Sequence, residues 1–250
     1  MWCGRLLVVI AIGAAGCSKG HADLGGGALT DAPPRPPDAA IEEPSEDAPD
    51  AAEVMAHVCL VTDLRNITTC DSGGPGAQLV TLGNQVRTTS PNGTFMFVPP
   101  TGTDLFWHVS GNGIRSSRMN LRRAANGDLI MPISIPVIGE AAYQTLFAAN
   151  GGVEAANQGA LVIQFIRDAP PGPLAGVTVS GIGTLEVLYD GVSPTIWDTD
   201  ETGPRGMAWI PSVPAGMHTY DAAPQIGNGP VDRPFVVEDA TITFDIVEPI

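Results

Sequence analysis

From His57 onward the chain is dominated by short apolar runs with a period of two, each closed by Gly, Pro, Asn or Asp. Thr94-Phe95-Met96-Phe97-Val98 sets Phe95 and Phe97 on one face, and Leu105, Trp107 and Val109 repeat the alternation in the next run. The cleanest case covers residues 241–246, where Ile242, Phe244 and Ile246 share a face. Successive strand side chains point to opposite sides, so this pattern gives each run one apolar face and one polar face. A single such run buries too little to stand alone, and the runs must gather into sheets stacked face to face. Thirty Gly and 23 Pro, with 16% charged residues, supply the turns and leave little room for long helices. The fold class expected is all-β, built of β-sandwiches.

One stretch breaks the alternation. Between 136 and 150, Pro136 suits a first helical turn, Ala142/Leu146 and Tyr143/Phe147 are i,i+4 pairs, and Asn150-Gly151-Gly152 makes a stop. This predicts a short helix in a connection spanning 133–158, with its apolar stripe packed on a neighbouring sandwich. The expected division is a first sandwich over 56–132 and a second over 159–250.

The two halves are alike across that connection. The first has Leu79-Val80-Thr81-Leu82, a polar turn at Pro91-Asn92-Gly93, then Thr94 to Val98, Pro99 and Gly102. The second has Val177-Thr178-Val179, a polar turn from Asp198 to Thr202, then Gly206-Met207-Ala208-Trp209-Ile210, Val213-Pro214 and Gly216. Asn92-Gly93 supplies the positive φ of a tight hairpin. The pattern resembles the carboxypeptidase regulatory-like domain, over about 56–122 and from 159 to the C-terminus. That resemblance implies two transthyretin-like (prealbumin-like) Greek-key sandwiches. The second copy departs from it: Gly203-Pro204-Arg205 lengthens a turn, and a Gly-rich excursion over 181–194 carries its own apolar run, 185–189. The family often accompanies zinc carboxypeptidases, whose metal is held partly by a His-x-x-Glu pair. Three residues after His21, His57, His108 and His218 stand Leu24, Leu60, Gly111 and Asp221, so no such pair exists here.

The N-terminus has a different character. Arg5 precedes an apolar run over 6–16 and then Ala14-Ala15-Gly16-Cys17. Spanning a hydrocarbon core of about 30 Å takes roughly 20 helical residues, so this run reads as a cleaved signal peptide, 1–16. Its end resembles a bacterial lipobox, with Ala14 where that motif usually has Leu. The resemblance implies a diacylglycerol on the Cys17 thiol, an acyl chain on its freed amine and, with Ser18 next, delivery to the outer membrane. An ordinary secretory signal followed by a chance cysteine is the other reading.

Nearly half of the formal net charge of −15 lies in the next segment. Residues 18–55 hold nine acids against Lys19 and Arg35, with six prolines and almost no large apolar side chain. Such a composition cannot offset the entropy of ordering, so 17–55 is expected to be a disordered acidic tether. Extended at about 3.1 Å per residue, it would hold a domain on the order of 100 Å from the lipid. A spacer through a crowded envelope and tolerated filler predict the same physics. A chain this acidic is not expected to bind nucleic acid. The partners expected are a membrane, through Cys17, and an extracellular protein or glycan.

Of the four cysteines, Cys3 leaves with the signal and Cys17 is the lipidation site, leaving Cys59 and Cys70 to pair in an oxidising compartment. A loop of about a dozen residues closed this way restrains the unfolded chain by roughly 3 kcal/mol. No neighbouring His or Cys stands at zinc spacing, so no metal or cofactor is expected.

The remaining motifs each have a mundane reading. Asp71-Ser72-Gly73-Gly74-Pro75 resembles the nucleophile loop of trypsin-like proteases, but within the folded part only His57 precedes it, where a general base and an orienting Asp are needed. It reads as a turn before the strand at Leu79. Asp198-x-Asp200-x-Thr202-Gly203 mimics half a calcium loop, yet Trp209 stands where the bidentate Glu belongs, so a hairpin turn is favoured. Gly181-x-Gly183 lacks the third Gly and following helix of a nucleotide loop. Arg115, Arg118, Arg122 and Arg123 form either a patch for headgroups, anionic polysaccharide or the acidic tether, or a strand edge kept charged against pairing. Trp107, Trp197 and Trp209 are either core residues or a platform for sugar rings. Together these readings give a non-enzymatic, lipid-anchored envelope protein whose role is adhesion, scaffolding or ligand binding, with a carbohydrate-binding module and a weak hydrolase reading as alternatives.

Overall fold

The computed structural model describes residues 52–70, 74, 76–101, 105–124, 126–153, 155–167, 170–191, 197–198, 200–224 and 231–248. The signal, Cys17 and nearly all of the acidic segment lie outside this set, as do Ser72, Gly102 and Thr199.

The first half forms two facing sheets. β1 (Val54–Val61) pairs antiparallel with β4 (Thr94–Phe97) and parallel with β7 (Ser134–Ile138), giving the order β4-β1-β7. Against it lie β3 (Gln85–Thr88), β2 (Leu79–Leu82), β5 (Phe106–Ser110) and β6 (Ser116–Asn120), adjacent in that order. The predicted alternation places the core: Phe95, Phe97, Trp107 and Val109 are all buried, and both phenylalanine rings meet Trp107 edge to face, Phe97 at 4.8 Å. At the β3–β4 turn Gly93 has φ +82, and a Cβ there would come within 2.5 Å of the Val58 carbonyl oxygen. Only glycine fits that approach.

The second half repeats the arrangement. β8 (Gln158–Arg167) pairs antiparallel with β12 (Met207–Pro214) and parallel with β15 (Thr241–Val247), as β1 does with β4 and β7. β10 (Val177–Ser180), β13 (Gly216–Pro224) and β14 (Val231–Val237) form the facing sheet, as β2, β5 and β6 do. The short β9 (Gly172–Pro173) pairs with β8. The 181–194 excursion contributes β11 (Leu188–Tyr189), which pairs with β12, whereas its positional counterpart β3 pairs with β2.

The halves are not beads on a helical string. β15 pairs parallel with β6 as well as with β8, so one nine-stranded sheet runs through both sandwiches. Along β8, Leu161, Ile163 and Phe165 face the second core, while Ala160 and Val162 face the first. β12 divides likewise, with Ala208 and Ile210 on one side and Met207 and Trp209 on the other. A strand buried on both faces takes apolar residues at successive positions, which explains the unbroken run over 159–163.

The 133–158 connection differs from expectation at its start. Residues 134–138 are β7, the last strand of the first sandwich, and Pro136 lies in register with Cys59. β7 is an edge strand of its sheet, where proline is tolerated. The helix, α1, is Glu140–Ala149. It ends as predicted: Gly151 has φ +75, and Gly151 and Gly152 donate their N–H groups to the Ala148 and Phe147 carbonyls, a Schellman stop. Tyr143 and Phe147 are its buried residues, stacked at 5.7 Å and set against Trp209. Ala142 is exposed.

Candidate functional site

Cys59 and Cys70 are joined, with their Cα atoms 5.0 Å apart. The bridge ties the loop after β1 back onto the face of β1 that carries His57. The His57 Nδ1 stands 3.4 Å from Cys70 Sγ, and its Nε2 is 2.7 Å from the Asn92 carbonyl oxygen. A carbonyl only accepts, so Nε2 donates to Asn92. In sequence no His or Cys stands at zinc spacing from the cysteines, yet the His57, Cys59 and Cys70 donor atoms lie within 4.8 Å of one another. The i,i+2 spacing of His57 and Cys59 on a strand was the available signal. With the sulfurs bonded to each other, this cluster is a structural link between the disulfide loop and the β3–β4 turn.

The calcium-like segment is used internally. Thr202 Oγ1 accepts from the Val177 N–H and donates to the Leu174 carbonyl, so it is turned into the fold. The turn is held by Asp190, which the sequence reading did not single out. Its buried carboxylate accepts the backbone N–H groups of Gly203, Arg205 and Met207 at 2.6–2.8 Å. Trp107, Trp197 and Trp209 are 1%, 7% and 0% exposed. A sugar platform built on Trp197 or Trp209 is therefore ruled out by their burial.

The arginines are not a strand edge. β6 is flanked by β5 and β15, and its Arg118 lies over the Phe106 ring at 3.9 Å while paired with Glu238. Arg115 is buried against Tyr143 and bridges to Glu140 at 3.2 Å. Arg122 and Arg123 do something different. The β6–β15 register stops at Met119↔Phe244; beyond it a cleft of about 390 Å³ opens between the strand ends. Arg122, Arg123 and Arg233 line it, with Asn120, Asp245 and Glu248.

The charges in this cleft are loosely matched. Arg122 reaches the exposed Glu248 at 3.4 Å, and Arg233 reaches Asp245 at 3.5 Å, both longer than the roughly 2.7–2.9 Å of a good charge-assisted bond. Arg123 is held by the Gly127 and Pro100 carbonyls, and among the described residues no carboxylate lies within ion-pair distance of it. Asp245 is fixed by the Tyr220 hydroxyl, which donates to Oδ2 at 2.8 Å. Burial first, and the Asp245 charge second, push the Tyr220 ionisation far above its ordinary value.

A second cavity of about 260 Å³ adjoins the first. The two share Met119, Leu121, Arg122, Ile130 and Ile246, and the second is lined further in by Trp107, Ile67 and Ile133. Arg122 thus stands between a cationic cleft and an apolar chamber. Among the described residues no helix is long and apolar enough to cross a membrane.

No protein-family model and no curated protein matches the chain. Among solved structures it is similar to the Bacillus anthracis TIE protein, at 15% identity and a TM-score of 0.26 over 79% of this chain and 34% of that one. A streptococcal ancillary pilin follows at 10% identity and a TM-score of 0.22, over 80% of this chain and 62% of that one. The shaft pilin SpaA of Lactobacillus rhamnosus GG is similar at 12% identity and a TM-score of 0.23, over 79% of this chain and 98% of that one. The chain thus spans about a third of the first and under two thirds of the second. At TM-scores of this size the likeness carries no argument about function, and the β-sandwich architecture rests on the strand pairings themselves.

Proposed function

We propose that the chain is an exported, non-catalytic binding protein, held to the bacterial cell envelope by a lipid on Cys17 and presenting its sandwiches at the end of the acidic segment. The observation that carries this reading is the Cys59–Cys70 bridge. It occupies both cysteines of the folded part, so once Cys3 leaves with the signal, Cys17 is the one thiol left for acylation. A disulfide also suits a chain that folds outside the reducing cytosol. Arg5, the short apolar run and the Ala14-Ala15-Gly16-Cys17 end supply the export half of the argument, and Ser18 favours the outer membrane. The task assigned to the displayed part is binding or adhesion.

Intact mass of the membrane-extracted protein, measured under non-reducing conditions beside a Cys17→Ala variant, tests this. A chain beginning at Cys17 with added acyl mass, lost in the variant together with membrane retention, supports the anchor. An unmodified chain cut elsewhere and recovered in the soluble fraction overturns it.

A further inference from the structure

We propose that the paired cavities at the seam of the two sandwiches bind a small amphipathic carboxylate, with its head on Arg122 and Arg233 and its apolar body in the chamber beside Trp107. This deepens the binding reading above by naming a ligand class, and it does not depend on the lipid anchor.

The head site follows from charge. Arg122, Arg123 and Arg233 face Asp245 and Glu248 across the cleft, an excess of one positive charge in a chain of net −15. Asp245 is 5% exposed and locked by Tyr220, so it stays as part of the wall. Glu248 is exposed and holds Arg122 only at 3.4 Å, so a ligand carboxylate can take its place while Glu248 turns to water. Arg123, with no carboxylate within ion-pair distance among the described residues, raises the local potential. A half-buried cation of this kind is costly unless an anion is brought to it. The guanidinium fork of Arg122 matches the two oxygens of a carboxylate.

The tail site follows from burial and continuity. The chamber opens from the same Arg122 and is walled by Trp107, Ile67 and Ile133, side chains that offer dispersion and exclude water. Ligand clefts run from about 300 to 1,000 Å³, so cavities of about 390 and 260 Å³ suit one short chain better than a polymer strand. A free acidic sugar would satisfy the arginines but leave the chamber unused. An alcohol would fill the chamber and leave the arginines unanswered.

Trp107 lines the chamber and reports its occupancy. The full chain is titrated with decanoate, decanol and galacturonate while tryptophan emission is followed and calorimetry is run in parallel. Decanoate is expected to bind saturably and shift the emission, with decanol and galacturonate each weaker by about tenfold or more. Arg122→Gln should weaken decanoate by a similar factor and leave decanol unchanged, whereas Arg87→Gln, on β3 and three strands away from β6, should change neither. Far-UV circular dichroism of each variant confirms that it is folded, and Arg233→Gln gives a second reading of the head site. Equal affinity for decanoate and decanol, or decanoate binding indifferent to both arginine variants, would overturn the proposal. So would tighter binding of galacturonate, or unsaturable detergent-like adsorption. None of these results bears on acylation of Cys17, which the mass measurement decides separately.

Discussion

The Tyr220 hydroxyl donates a 2.8 Å hydrogen bond to Oδ2 of Asp245, joining β13 of one sheet to β15 of the sheet that faces it. Arg233 holds the other oxygen at 3.5 Å, and Asp245 is 5% exposed, so the carboxylate relies on these two partners. Removing the hydroxyl leaves a buried acceptor short of a donor.

Tyr220→Phe is therefore expected to lower stability at neutral pH by about 1–3 kcal/mol. The alkaline behaviour has the opposite sense. Tyr220 ionises far above its ordinary 10.0 in the native chain, first because it is buried and then because Asp245 is negative. A raised native value means that its contribution is complete below pH 10 and declines as the pH climbs through the native value, because the unfolded chain loses a proton that the native chain keeps. Thermal melts from pH 8 to pH 11 should show a steep decline in the parent and a shallower one in Tyr220→Phe. Tyr189, also raised by burial, keeps part of the slope in both.

The shared sheet makes a prediction about cooperativity. Phe244 is fully buried on β15, in register with Met119 of the first sandwich and Val162 of the second. Phe244→Ala should cost about 3–5 kcal/mol. Because the strand belongs to both halves, urea unfolding followed by tryptophan emission and by far-UV circular dichroism should shift as one coincident transition. Two transitions, with one unmoved by Phe244→Ala, would show the sandwiches to be independent.

What the sequence makes legible is whatever the local period records. Phe95, Phe97, Trp107, Val109, Ile242 and Phe244 announce their burial by alternation, and Gly93 and Gly151 announce their turns. The double partnership of β15 leaves no local trace, since Ser116 and Thr241 become neighbours only through the tertiary fold. Pro136 was misplaced because proline serves equally at a first helical turn and on an edge strand. The candidate site shows the same division. Arg122 and Arg123 sit in a visible cluster, but Arg233, Asp245 and Glu248 complete the cleft from over a hundred residues away. Nothing in a run of arginines says which of them will be matched by a buried acid.

A surface pair offers a gain in stability. Asp221 on β13 lies directly opposite Asp232 on β14, like charges in the position where cross-strand neighbours interact most. A hydrogen bond shared with Asp232, followed by desolvation and the Asp232 charge, raises the Asp221 carboxyl above its ordinary 3.8. A raised native value contributes stability that is complete below the unfolded value and disappears as the pH rises past the native one. At pH 7 only the repulsion is left. Asp232→Asn should raise the melting temperature at pH 7 by a degree or so, and the advantage should shrink at pH 3; an equal shift at both pH values would assign it to something other than charge.

Asp63 behaves in the reverse sense, and it also bridges the halves. Its carboxylate takes a two-pronged bond from the Arg65 guanidinium and lies 3.4 Å from Arg205 of the second sandwich, 142 residues away. Burial by itself would raise its pKa, but the hydrogen bonds from the Arg65 side chain and backbone, with the charges of Arg65 and Arg205, outweigh that and lower it below 3.8. A lowered native value gives stability that is present above the unfolded value and lost as the pH falls through the native one. Acid unfolding followed from pH 5 down to pH 2 should thus begin earlier in Asp63→Asn than in the parent, with the curves converging at the lowest pH. Arg205→Gln should reproduce a smaller part of the same shift, since its contact is longer and its side chain is 42% exposed. If Asp63→Asn lowered stability by the same amount at pH 2 as at pH 5, the effect would come from packing and not from the ion pair that links the two sandwiches.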